Sequence, residues 1–345
     1  MFPLESLPTV IGTAAIAPAL LVLWLVIVAE DHPVSPARVW SAFLLGSASI
    51  SLLEPLRNLL THGLPTPDNP WIAQALHSVF GVALPEETVK ILVIILVSIR
   101  GRTLTNPMDT VVYGAAAGLG FAAYENLLYL LQHQEMWRSL AALRSVLTVP
   151  FHGALGIIAG AYLALAKVGT ALGAHHKHRD LARLSNRALV LLGPLALHSA
   201  FDFPLLTLQR NPDISNITGL VLGTTSVLIG LGSIGFAICL VWRVGRHHVP
   251  HTPTARARLS QLRRMWALLV VGGGAGFLGL AFVLSVLHRW FLASDHDAAA
   301  ILVPFALASI VVGGSLLVLT TLIYMLGRHR LRRISDSFSS LLGEG

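Results

Sequence analysis

The sequence predicts an all-α, polytopic membrane protein with about nine transmembrane helices and a polar site between helices three to six. Three observations carry this. Of the 345 residues, 54% are hydrophobic and only 12% are charged, about half the charged share of an ordinary soluble domain. Apolar runs of about 20 residues, the length that crosses a bilayer as a helix, recur along the chain. The few charges inside those runs gather in four consecutive ones. The net charge of +7 does not indicate nucleic acid, because Lys and Arg fall in short loops between apolar runs, which is a topology signal. The single cysteine, Cys239, lies in an apolar run and excludes both an intramolecular disulfide and a thiolate metal cluster.

The expected spans follow in order. The first, about 9–29, comes after a start with no basic n-region and no small-residue cleavage site, so it reads as a retained helix rather than a signal peptide. The second covers about 38–60 and the third about 72–99. Pro85 marks a point where the third can divide into a short outer piece and a main helix, since neighbours in a membrane can satisfy the carbonyl that proline frees. The fourth, 108–131, contains "GAAAG" (114–118), and the fifth, 146–167, contains "GIIAG" (156–160). Such spacing lets helix backbones approach closely. The sixth to ninth cover about 187–208, 216–242, 265–290 and 300–326, the eighth with "GGGAG" (272–276). The loop 168–186, with "GAHHKHRD", reads as solvated and basic. Residues 1–326 thus form a helical membrane domain with a catalytic core at about 72–208, and 327–345 form a basic cytoplasmic tail. With the N-terminus outside, 18 of the 24 Lys and Arg fall inside, five fall outside, and Lys90 lies within the third span. The expectation is a multi-pass protein of the cell membrane, N-terminus outside and C-terminus in the cytoplasm.

Inside the spans lie Glu86, Glu87 and Lys90 (third), Glu125 (fourth), His152 (fifth), and His198 and Asp202 (sixth). Each charge at the centre of a membrane helix costs about 2.5–3.5 kcal/mol. A shared polar cavity between four helices offsets that cost, and exposure to lipid does not. Glu86 and Lys90 are four residues apart, Glu87 and Lys90 three, His198 and Asp202 four, so each pair shares a helix face. The alternating directions of the helices bring the groups to the outer half of the bilayer. Two imidazoles with several carboxylates can relay protons or activate a water. For hydrolysis, a buried carboxylate takes a proton from water. A second group, imidazolium or a divalent metal such as zinc held by His and carboxylate, stabilises the oxyanion. There is no Gly-x-Ser-x-Gly or Ser–Lys arrangement, no His-Glu-x-x-His, and no pair of Asp motifs. A proton-coupled transporter and a non-catalytic scaffold are the rival classes. No second copy of the Glu/His pattern occurs in helices seven to nine, which counts against the transporter.

The ordered set "EETVK" (86–90), "FAAYEN" (121–126), "FHGALG" (151–156) and "HSAFD" (198–202) resembles the PrsW family of intramembrane proteases, with its Glu-Glu-x-x-Lys, Phe-x-x-x-Glu and two later histidine motifs. That family looks related to the CAAX prenyl proteases and the Abi enzymes, whose second motif ends in His rather than Glu. The resemblance implies a peptidase that cuts membrane-anchored proteins, as a site-1 protease acting on an anti-sigma factor. It implies that Glu86 or Glu87 activates the water. Glu125, His152 and His198 complete the catalytic or metal-binding site, Asp202 supports it, and Lys90 and Asn126 have structural roles. The partners are then a membrane-anchored protein substrate and the lipid bilayer, with no nucleic acid.

Overall fold

The computed structural model describes residues 7–28, 34–65, 67–99, 107–168, 176–211 and 214–245. Among them every regular element is helical. Among the described residues, those up to Trp137 and from Leu147 to Gly245 belong to one compact unit, which holds all the residues of the cluster. Arg138–Val146 belongs to a second unit and contributes most of the short helix α7 (Trp137–Leu143).

Helix α1 (Leu7–Val28) is followed by α2 (Pro36–Ala48), a 3-10 turn (Ser49–Leu52) and α3 (Leu53–Thr61). Helix α4 (Pro70–Leu76) starts where Asn69 caps it, its side chain accepting from the backbone N–H of Trp71 (2.9 Å) and Ile72 (3.3 Å), with Pro70 next. A π-helical segment (His77–Ala83) then leads straight into α5 (Leu84–Ile99). Pro85 therefore does not break the third expected span; the wider π turns directly before it absorb the proline. Helix α6 (Pro107–Gln132) is buried along most of its length. Helices α8 (Val149–Val168), α9 (His176–Arg210) and α10 (Asn216–Gly245) pack on it or on one another.

Among the described residues, four helical stretches are long and apolar enough to cross a membrane: Pro36–Thr61, Gln134–Ala166, Leu181–Arg210 and Asn216–Gly245. Ile11–Ile27 is apolar but shorter. The described residues thus account for fewer crossings than the nine expected. The segments α4–α5 and α6 are not among the four; they carry Glu86, Glu87, Lys90 and Glu125, and α6 faces mainly protein. The eighth and ninth expected spans and the tail 327–345 lie outside the described residues. The loop expected at 168–186 is helical from His176 on, because nothing in "HKHRDLARLSNRAL" breaks a helix. At about 1.5 Å per residue, α9 is roughly 50 Å long, well beyond the ~30 Å hydrocarbon core.

The two glycine motifs meet. A Cβ on Gly114 would strike the carbonyl of Gly156, one on Gly156 the carbonyl of Gly114, one on Gly118 the carbonyl of His152, and one on Gly160 the carbonyl of Thr110. Helices α6 and α8 are therefore in backbone contact, which only glycine allows. Gly120 and Gly46 play the same part between α6 and α2, against Phe43 and Ala117.

Prolines inside helices are matched by side chains from neighbouring helices. Asn126 Nδ2 donates to the carbonyl of Ala15 (3.2 Å), three residues before Pro18. Ser226 Oγ donates to Phe201 (2.8 Å), three residues before Pro204. Arg57 Nε donates to Gly81 (2.7 Å), four residues before Pro85. Each bond supplies a donor in the turn where a proline withholds its own.

Candidate active site

Glu86 and Glu87 occupy the first turn of α5, directly after Pro85, and Lys90 follows one turn on. All three are between 1% and 4% exposed, as are His152 on α8 and His198 on α9. Lys90 is the hub. Its Nζ lies 2.6 Å from Glu87 Oε1, 3.5 Å from Glu86 Oε2 and 3.1 Å from His152 Nδ1, and 4.2 Å over the Phe121 ring. An ammonium only donates, so His152 Nδ1 accepts and Nε2 bears the proton. That Nε2 lies 3.1 Å from Glu125 Oε2, to which it donates.

His198 is held from the other side. Its Nδ1 lies 2.7 Å from Glu87 Oε1 and donates to it. Its Nε2 faces two carboxylates, Asp202 Oδ2 at 3.1 Å and Glu86 Oε2 at 3.8 Å. A neutral ring with a bare lone pair there would repel both. The position calls for a cation, either a proton on Nε2 or a metal ion beside it. Glu86 Oε2 itself is enclosed and makes no hydrogen bond to any described residue. Its compensation is the longer ion pairing to Lys90 at 3.5 Å and to His198 at 3.8 Å, which leaves room for a further donor or cation.

The structure thus brings together Glu86, Glu87, Lys90, Glu125, His152, His198 and Asp202, in distinct settings. Glu87 is saturated by Lys90 and His198. Glu86, His152 and His198 offer ligand atoms within 4.8 Å of one another. Glu125 stands on the far side of His152, and Asp202 stands beside His198; their side chains, 15% and 17% exposed, are the most open of the cluster. The convergent trio therefore contains Glu86, with Glu125 as a partner of His152. Asn126, fully buried, tethers α1 rather than touching the cluster's hub.

Three neighbours were not singled out from the sequence. Phe121 covers Lys90 and packs against His152, ring centroids 5.5 Å apart. Phe151 stands edge-on to His198 (5.8 Å) and stacks on Phe201 (4.2 Å). Arg57 reaches the turn before Glu86. The two Phe were findable: Phe121 is one helical turn before Glu125, and Phe151 adjoins His152.

A helical chain with membrane-crossing stretches and an acid–base cluster sealed among its helices is an integral membrane protein with a buried chemical centre. The family described as "PrsW family intramembrane metalloprotease" matches residues 35–231, more than half of the chain. The chain belongs to that family. It is 36% identical over 124 residues to Protease PrsW of Oceanobacillus iheyensis, covering 36% of this chain and 52% of the relative. It is 37% identical over 102 residues to Protease PrsW of Bacillus subtilis, covering 30% and 41%. With Protease PrsW of Clostridioides difficile it shares 30% over 128 residues, covering 37% and 50%. The chain spans about half the length of the curated relatives it matches. No solved structure matches it.

The residues fit the divalent ion that the family's description implies. One carboxylate and two imidazoles are the ligand set of many catalytic zinc sites, with a fourth position left open. Glu86, whose Oε2 makes no hydrogen bond among the described residues, belongs to that set. Glu87 on His198 Nδ1 and Glu125 on His152 Nε2 would be the outer carboxylates that orient the two imidazoles, and His152 Nδ1 would be free to ligate only once Lys90, 3.1 Å away, gives up its bond there.

Proposed function

We propose that the chain is an intramembrane endopeptidase that cuts membrane-anchored proteins, using the cluster of Glu86, Glu87, Lys90, Glu125, His152, His198 and Asp202. The observation that carries this is the buried convergence of Glu86, His152 and His198, whose ligand atoms lie within 4.8 Å of one another and whose Glu86 Oε2 makes no hydrogen bond among the described residues. Glu86, His152 and His198 would hold a divalent ion such as zinc. When bound, it supplies Lewis acidity that draws charge from the scissile carbonyl. Glu87 fixes the orientation of His198. Lys90 fixes Glu87, occupies His152 Nδ1 until an ion replaces it there, and offsets part of the negative charge of the cluster. Glu125, at the open edge and hydrogen-bonded to His152, accepts the proton of the attacking water and returns it to the leaving amine. Asp202 holds His198 from the opposite edge.

The further reading is a multi-pass protein with N-terminus outside and C-terminus in the cytoplasm, a core at about 72–208, and cleavage in the outer half of the bilayer. Its substrate class is single-span membrane proteins, an anti-sigma factor among them. The relatives' printed name, Protease PrsW, supports the activity. The test compares protein N-termini in membranes of cells carrying the native chain and Glu86→Gln at equal levels. New N-termini on single-span proteins only with the native chain uphold the reading. Identical profiles under several envelope stresses sink it, and proton flux in vesicles becomes the next assay.

A further inference from the structure

We infer that Arg57 is a positioning residue for Glu86 and Glu87, acting through the carbonyl of Gly81. The inference rests on the protease reading for its consequence and on geometry for its substance. Pro85 has no N–H to give to the preceding turn. Gly81, four residues back, is where an α-helical turn would place the acceptor. Its carbonyl accepts from Arg57 Nε at 2.7 Å, across 24 residues of sequence. This charge-assisted bond comes from α3, which packs on the π segment.

The alternative partner of Arg57 is weak. Glu54 Oε2 is 3.4 Å away, and the two side chains are 37% and 71% exposed, so that pair does not explain the placement. The π segment has one residue more per set of turns than an α-helix would. Its register decides which way the next residues, Glu86 and Glu87, face. Without a donor at Gly81, the turn before Pro85 has an unpaired carbonyl in apolar surroundings, and relaxing the π turns is its way to recover one. That relaxation rotates the first turn of α5 against His198 and His152. A displacement of about 1 Å in a catalytic group can cost on the order of 100-fold in rate.

The test is a cycle of Arg57→Met, Pro85→Ala and the double variant, with Arg57→Lys beside them, all in the full chain in lipid vesicles. An alanine at 85 restores a backbone N–H to the turn, so Arg57 becomes dispensable. The readouts are kcat and KM on a single-span substrate and amide hydrogen exchange over residues 77–90. Arg57→Met is expected to lower kcat by about 10- to 100-fold with KM within about twofold, and to speed exchange in that segment. Arg57→Lys recovers part of both. On the Pro85→Ala background, Arg57→Met changes neither. If Arg57→Met costs the same with alanine at 85 as with proline, the proposal is overturned. Should Arg57→Met fail to accumulate, recovery of its level by Pro85→Ala upholds the proposal, and continued loss overturns it. If the native chain cleaves nothing, the protease reading fails by itself. The exchange cycle still decides the tether, since non-additivity supports it and additivity refutes it.

Discussion

Replacing Lys90 with methionine removes the cation from the centre of the cluster at nearly constant volume. The ammonium now meets Glu87 at 2.6 Å and Glu86 at 3.5 Å, with both Lys90 and Glu87 side chains 1% exposed. Breaking a buried ion pair by deleting one partner costs about 3–5 kcal/mol, because the remaining charge stays buried without compensation. Two carboxylates lose their cation here, so the upper end of that range is expected. At about 2.1 cal/mol/K per residue, a 345-residue chain moves its midpoint by roughly 1.4 °C per kcal/mol, so Lys90→Met should lower it by about 5–7 °C. The assay is heating the detergent-solubilised protein and following the loss of its monodisperse chromatographic peak. The double variant Lys90→Met, Glu87→Gln removes both charges and should regain more than half of the loss, since neutral replacement of a whole buried pair is often tolerated. A double variant no better than Lys90→Met, or a Lys90→Met midpoint within about 2 °C of native, would refute the reasoning.

Three further outcomes are expected. Gly118→Leu drives a side chain into the carbonyl of His152 and should cost at least about 1–3 kcal/mol in the same heating assay, whereas Gly232→Ala, with nothing within 4 Å of its Cβ, should be silent. After zinc loading and dialysis, mass spectrometry of the protein should find the ion lost from Glu86→Gln, His152→Ala and His198→Ala. In Glu125→Gln and Glu87→Gln, which alter the partners of the ligating histidines, affinity should fall about 10- to 100-fold. Phe121→Leu should lower thermal stability by about 1–2 kcal/mol through loss of the ring beneath Lys90, with cleavage retained in part.

The cluster was legible because charge inside an apolar run has few reasons to exist. Helical spacing also put Glu86, Glu87 and Lys90 within one another's reach. The glycine motifs were legible as packing, though not as partners of each other. What the sequence withheld was rotation and height. Spacing places Glu86 and Glu87 near Lys90 alike. Only the π turns and the bond to Gly81 decide that Glu87 meets His198 Nδ1 while Glu86 faces its Nε2. Likewise, Glu125 and His152 come level because α6 and α8 touch at Gly118, a contact between backbones that no residue pattern states in advance. The length of α9 was underestimated because its first turns are basic, and charge marks the membrane's edge without ending a helix. Arg57, read from the chain as one more flanking cation, gains meaning only once Gly81 lies beside it.

The separation of the cluster along the chain bears on how the protein is made. Glu87 and its partner His198 are 111 residues apart, a stretch that takes roughly 5–20 s to synthesise. For that interval α5 must sit in or beside the translocation machinery with its carboxylates already present and their imidazole partners not yet built. The intrahelical pairs of Lys90 with Glu86 and Glu87 need no later part of the chain. They cancel one of the newborn helix's two negative charges, so the same ammonium that organises the finished centre also eases its passage into the membrane.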